Sequence, residues 1–169
     1  HEKLLQMKTE IAEMVPANWP EVERIYLEGI ETGLATFETQ SPGWENWDAG
    51  HLHACRLVAK VDKQVVGWAA LSAVSKRQVY KGVAEVSIYI KNDFRGKGLG
   101  KALFQELIIA AESEGFWTLQ SSVFRENVAT IALHKSMGFR EIGYREKIAQ
   151  LHGIWRDTVL LERRSKTAV

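Results

Sequence analysis

Strict alternation over residues 83–90, VAEVSIYI, sets Val86, Ile88 and Ile90 on one face of a strand and Glu85, Ser87 and Tyr89 on the other. Elsewhere the apolar pattern switches between this period and the helical one. PEVERIYLEGIETG carries Val22, Ile25, Tyr26 and Ile30 at helical spacing behind Pro20, which suits a first helical turn, and Gly33 stops it. WENWDAGHLHA predicts a second, shorter helix. RLVAKVDKQVVGWAALSAV predicts two strands joined as a hairpin at Asp62 and Lys63. From Leu99 a core helix is expected, with Leu103, Leu107 and Ala110 on its stripe, Phe104, Ile108 and Ala111 widening it, and Gly115 ending it. FWTLQSSVF predicts a strand, NVATIALHKSM a short helix closed by Gly138, and FREIGYREKIAQ with IWRDTVLLER a hairpin around His152 and Gly153. The fold class is α/β, with mixed strands and helices in alternation.

Composition narrows the partners more than the fold. The chain's 169 residues, 46% hydrophobic and 25% charged, suit one globular domain with its own core, so residues 1–169 are expected to form a single domain. Residues 1–9 are set apart as a tag remnant or disordered end, with Met7 a candidate native start. Twenty-two basic against twenty-one acidic residues leave a charge of +1, which offers no broad footprint for nucleic acid or an anionic membrane. An anion must therefore be met locally. Cys55 is alone, which precludes an intramolecular disulfide and points to the cytoplasm. No Cys/His cluster has metal-site spacing; His51 and His53 alternate, a weak signal, and no metal is expected. The apolar runs fall well short of the roughly 18–20 residues of a membrane span.

The stretch FRGKGLGKALF, residues 94–104, lies between a predicted strand and a predicted helix. Gly100-Lys101 has Arg95 where a Walker loop needs glycine and Ala102 where it needs Ser or Thr, and Lys101 replaces the third glycine of a dinucleotide fingerprint. What remains is a helix N-terminus whose unpaired N–H groups and dipole favour an anion, with Arg95, Lys97 and Lys101 adding charge. Alone, the same glycines read equally well as a plain turn.

RGKGLG resembles the Q/R-x-x-G-x-G/A pyrophosphate-binding turn of the GNAT superfamily of N-acetyltransferases, and NVATIALHKSMGF resembles its second motif, with Asn127, His134, Gly138 and Phe139 in place. Within that superfamily the chain is similar to the phosphinothricin acetyltransferase group. YLEGIETGLATFET, RQVYKGVAEVSIYI and LHGIWRDTVL carry the similarity, which runs from about Ile11 to Arg163. SPGWENWDAG departs from it, in a region that could line the acceptor pocket.

The resemblance implies a GNAT acyl-CoA N-acyltransferase fold, with a mixed central sheet flanked by helices. It implies acetyl-CoA as cosubstrate, and transfer in a ternary complex to the amino group of a small amino-acid-like compound such as phosphinothricin, methionine sulfoximine or methionine sulfone. It also implies a homodimer, to which the six tryptophans add support. The cofactor residues it implies are Ile88, Tyr89 and Ile90 beside the pantetheine, Arg95, Gly96, Lys97, Gly98, Leu99, Gly100 and Lys101 at the phosphates, and Asn127 and Ser136 on the second motif.

An ammonium must lose its proton before attack, and Glu85, a carboxylate within a strand, is the candidate base, directly or through a water. If its face of the sheet is solvated, it is an ordinary surface residue. His134 takes the position of a Tyr in many relatives and is assigned acid or base duty, although a lone helical histidine is more often structural. Asn127 is equally a good N-cap. The Tyr89–Ile90 backbone is expected to stabilise the developing oxyanion. Arg77 suits an acceptor carboxylate or phosphinate. Phe37, Tyr80 and Trp155 are pocket-wall candidates, and equally core or interface aromatics. Cys55 lies on neither motif, so no acyl-cysteine is expected. Other acceptors remain open: a polyamine, an aminoglycoside or a protein N-terminus. So does a non-catalytic acyl-CoA-binding module.

Overall fold

The computed structural model describes residues 8–168. Among the described residues, seven strands form one sheet in the order β1-β2-β3-β4-β5-β7-β6. The strands are β1 (Thr9–Glu13), β2 (Leu57–Val61), β3 (Gln64–Ala73), β4 (Val83–Ile90), β5 (Thr118–Phe124), β6 (Arg140–Leu151) and β7 (Ile154–Arg164). The α-helices are α1 (Trp19–Thr32), α2 (Trp44–Gly50), α3 (Leu99–Ser113) and α4 (Val128–Ser136). Every predicted element is present. The edge strand β1 was not foreseen, because only its pairing with β2, from Thr9↔Val61 to Glu13↔Leu57, makes this polar segment a strand. Of the terminal segment set apart above, residues 1–7 lie outside the described residues.

Local chemistry explains the joints. Asp62 and Lys63 both take left-handed backbone, φ 48° and 69°, as a tight hairpin between β2 and β3 demands. Gly33 closes α1 in the left-handed region at φ 66°.

The sheet is covered on both sides. Helix α3 buries Leu103, Phe104 and Leu107 completely against Ala69, Leu71, Ala84 and Val86 of β3 and β4. Each such side chain contributes about 1.5–3 kcal/mol of burial free energy. On the opposite face α1 and α2 enclose Val22, Trp47, Val58 and Trp68.

The position of the functional site follows from one pairing. β4 and β5 run parallel for only three registered pairs, ending at Glu85↔Gln120. β3 accompanies β4 on its other side as far as Gly67↔Ile90. From Val86 to Ile90 the β5-facing edge of β4 therefore has no registered strand partner, and the sheet opens into a fork with Glu85 at its apex.

Candidate active site

Two cavities occupy this fork. One, of about 390 Å³, lies on the side of α3 and α4. The other, of about 470 Å³, lies on the side of α1 and α2. They share Ala35, Ile88, Tyr89, Asn127 and Thr130, so β4 and α4 form their common wall.

The smaller cavity is a cleft built largely from backbone. Gly96 and Gly98 take φ 71° and 84°, a region costly for residues with a Cβ, and a Cβ at either would meet nothing within 4 Å. Gly98 caps α3, whose first bond runs from Ala102 N to Gly98 O at 3.1 Å. The amides of Leu99, Gly100 and Lys101 thus have no acceptor within the helix. Gly100 is tight for a different reason, since a Cβ there would stand 3.4 Å from Leu133 of α4 and 3.7 Å from Ile90.

Of the predicted cofactor residues, Ile88, Tyr89, Ile90, Arg95, Gly96, Gly98, Gly100, Lys101 and Asn127 line this cleft. Three others do not. Leu99 points into the core, Lys97 lies 5.6 Å above the Phe94 ring, and Ser136 donates to Leu133 O at 2.7 Å. The Arg95 guanidinium turns back to Ile90 O at 3.3 Å. An anionic, extended group with hydrogen-bonding amides fits this cleft: free helix N–H groups at one end, an unpaired strand edge at the other.

The larger cavity is built from side chains of distant segments. Glu85, Ser87 and Tyr89 project into it from β4, so the second face of that strand lines a cavity between sheet and helices rather than open solvent. The Tyr89 ring stacks on Trp68 at 4.9 Å and on Tyr26 at 5.1 Å. Gly29 on α1 makes room for it: a Cβ there would stand 2.6 Å from the ring. Burial, with the nearby Tyr26, pushes the Tyr89 phenol well above its ordinary range.

Phe37 and Glu38 enter from the loop after α1, and Phe37 meets Phe124 edge-on at 4.7 Å. This loop is anchored from outside: Asn127 Nδ2 donates to Leu34 O at 3.1 Å, and Arg156 donates to Gly33 O at 2.9 Å while lying 4.0 Å above Phe124. Asn127 also accepts from Thr130 N at 3.3 Å as the N-cap of α4, so its carboxamide both caps the helix and holds the loop.

His134 is 2% exposed. Its Nδ1 lies 2.7 Å from Thr130 O, an acceptor only, so Nδ1 carries the proton and Nε2 accepts from Ser121 Oγ at 2.7 Å. Burial pulls its pKa below the usual histidine value. The ring is thus neutral at neutral pH and reaches the cavity alongside the Ser121 hydroxyl. His51, at the end of α2, is a cavity residue that sequence reasoning missed; Nδ1 meets Trp47 O at 2.7 Å, and burial lowers its pKa too. Arg56, paired with Asp48 at 2.6 Å and bonded to the carbonyls of Asp48, His51 and Leu52, holds that turn in place.

Within a single chain the structure does not bring Arg77, Tyr80 or Trp155 into either cavity. Arg77 lies 5.5 Å above the Tyr80 ring on the exposed β3–β4 connection, and Trp155 is 55% exposed on β7. Among the described residues no group of three or more His, Cys, Asp or Glu could hold a metal ion, and no helix is long and apolar enough to cross a membrane.

A strand fork with a glycine-turn helix on one side and a carboxylate at its apex on the other belongs to the class of N-acyltransferases that draw on an acyl-CoA. The match to the family described as Acetyltransferase (GNAT) family, over residues 16–139, shows that the chain belongs to it. The chain is 25% identical over 162 residues to the L-methionine sulfoximine/L-methionine sulfone acetyltransferase of Pseudomonas aeruginosa, covering 92% of this chain and 94% of that one. It is 31% identical over 153 residues to the phosphinothricin N-acetyltransferase of Alcaligenes faecalis, covering 85% and 76%. Among solved structures, a GNAT superfamily phosphinothricin acetyltransferase from Sinorhizobium meliloti in complex with AcCoA matches at TM-score 0.83 and 30% identity over 94% of this chain and 89% of that one. The protein is an acetyl-CoA-dependent N-acetyltransferase of the phosphinothricin acetyltransferase type.

Proposed function

We propose that this enzyme acetylates the amino group of a small amino-acid-like compound of the phosphinothricin, methionine sulfoximine or methionine sulfone kind, directly and in a ternary complex. The observation that carries the reading is the common wall: the cofactor cleft and the acceptor cavity meet across Ile88 and Tyr89, so donor and acceptor can be held at once.

Acetyl-CoA, when bound, supplies an acetyl group activated as a thioester. The amides at the start of α3, with Lys101 beside them, would hold its phosphates, and the unpaired edge of β4 from Ile88 to Ile90 would hold its pantetheine arm. Glu85, at the apex of the fork and lining the acceptor cavity, takes the proton from the acceptor ammonium. Ser121 and His134 line the same cavity as a hydroxyl–imidazole pair, whose unprotonated Nε2 can take up a proton passed through Ser121 Oγ. Cys55 lines neither cavity, and burial pushes its thiol up to about 11, which argues against an acyl-cysteine.

We also read residues 1–169 as one N-acetyltransferase domain of a cytoplasmic homodimer. The lone cysteine supports the cytoplasm. The exposed Tyr144, Ile148, Ile154 and Trp155 of the β6–β7 hairpin support self-association, which sedimentation of wild type against Trp155→Ser tests.

The deciding assay follows thiol release from acetyl-CoA with methionine sulfone, methionine sulfoximine, phosphinothricin, spermidine and an aminoglycoside. Saturable turnover with the first three supports the reading. Turnover with only the last two would discard the acceptor class and keep the reaction.

A further inference from the structure

The acceptor cavity is lined by two imidazoles, and they are bonded differently. His134 is satisfied at both nitrogens, by Thr130 O and Ser121 Oγ. His51 is satisfied at one. Its Nδ1 lies 2.7 Å from Trp47 O, an acceptor only, so Nδ1 carries the proton and Nε2 bears a lone pair. Nε2 has no partner among the described residues and, unlike Trp47 Nε1, Trp68 Nε1 and Thr158 Oγ1, it is not sealed from solvent. Burial lowers the pKa of the ring, which is therefore neutral at neutral pH. What His51 offers the cavity is a hydrogen-bond acceptor without a charge.

Packing fixes the ring. It stacks on Trp47 at 4.3 Å and stands edge-on to Trp68 at 6.0 Å, while Arg56 donates to His51 O at 2.9 Å. The next amide along, Leu52 N, donates to Leu71 O at 2.8 Å, which places His51 over β3. There Ser72, also in the cavity wall, pairs in register with Glu85 of β4. His51 and Glu85 thus meet one cavity from adjoining walls.

A primary ammonium that has given one proton to Glu85 keeps two N–H bonds and one lone pair, and only the lone pair can attack the thioester. A fixed acceptor for one of those N–H bonds sets the rotation about the C–N bond, and with it the direction of attack. We propose that His51 is a substrate-binding residue whose Nε2 accepts a hydrogen bond from the reacting nitrogen and so aims its lone pair. This rests on the acetyl-transfer reading of the cavity and adds to it the residue that orients the amine. Glu85 removes the proton; His51 holds what remains.

The test opposes two variants. In His51→Asn the shorter amide can still donate to Trp47 O but leaves no acceptor at the Nε2 position, whereas His51→Gln places an amide there and gives up the Trp47 bond. The kcat/KM for methionine sulfone should fall at least about tenfold in His51→Asn, the loss of one hydrogen bond to a charged group, and less in His51→Gln. The des-amino analogue of methionine sulfone, which keeps the sulfone and the carboxylate, should inhibit wild type and both variants equally. A smaller loss in His51→Asn than in His51→Gln overturns the proposal, by showing that the Trp47 bond is what matters. Weakened inhibition by the analogue in step with lost turnover overturns it too, since a group that meets only the amine cannot affect a ligand without one. A wild type silent with methionine sulfone sinks the amino-acid reading instead. Spermidine, another ammonium, then takes its place: equal kcat/KM in wild type and His51→Asn refutes the role of His51, and silence with spermidine as well removes the reaction on which the proposal rests.

Discussion

The cofactor cleft and the acceptor cavity share a wall and are built on opposite principles. The cleft's glycine turn comes from one continuous stretch, residues 94–101, and its chemistry is mostly backbone: left-handed glycines, free helix amides and an unpaired strand edge. The cavity draws side chains from α1, the loop after it, the end of α2, α4 and four strands, and its chemistry is carboxylate, hydroxyl, imidazole and aromatic ring. A backbone site serves a ligand whose anionic part is always the same. A side-chain site can be altered residue by residue without disturbing it, which suits a changing acceptor on a constant donor.

The largest break in that comparison should come from Glu85→Gln. Loss of a general base is worth about 100- to 10,000-fold in rate. The thiol-release kcat should fall by that much, while acetyl-CoA affinity by calorimetry holds; a comparable loss of affinity would put Glu85 in the cleft instead. Next in size is Gly98→Val. With φ at 84° and open space around the position, the penalty is backbone strain rather than clash, about 1–2 kcal/mol, or roughly tenfold in acetyl-CoA affinity. Gly98→Asn should lose less, since Asn tolerates this region. Equal losses would show that access to the amides, not strain, decides.

A smaller effect is expected from Gly29→Ala, whose methyl would meet the Tyr89 ring at 2.6 Å. Overpacking of this kind costs about 1–3 kcal/mol, readable as a lower urea midpoint. Acceptor KM should rise more than acetyl-CoA KM, because the stack with Trp68 and Tyr26 lies on the acceptor side.

The smallest concerns pH. Folding lowers the pKa of His134 below its ordinary 6.5, so the unfolded chain binds the proton more readily. Stability should therefore be full above that value and decline as pH falls from about 6.5 through the lowered folded pKa. His134→Gln should flatten this slope in denaturant melts at pH 7.5 and 5.5, leaving the part due to His51. An unaltered slope would count against the burial of the neutral ring.

The two regions also differed in how much could be read from the chain. The glycine turn was legible because strand, turn and helix are consecutive, and so was Asn127 as an N-cap, since capping acts over three residues. Alternation identified Glu85, Ser87 and Tyr89 as one face. Alternation cannot say what covers a face, and only the packing of α1, α2 and the loop between them turned this one into a cavity wall. Glu38, His51 and Thr158 left no trace in the pattern: two sit in or beside irregular segments, and the third is one of several polar residues on β7. β1 was missed because its residues acquire a strand only by pairing with β2.

Local periodicity and turn residues were enough to specify the four α-helices, six of the seven strands and the glycine turn before α3. Long-range packing set where β4 and β5 part and which side chains meet beyond that fork. Those outcomes depend on contacts between segments far apart in the chain, such as Arg156 to Gly33 and Asn127 to Leu34, which no local period encodes.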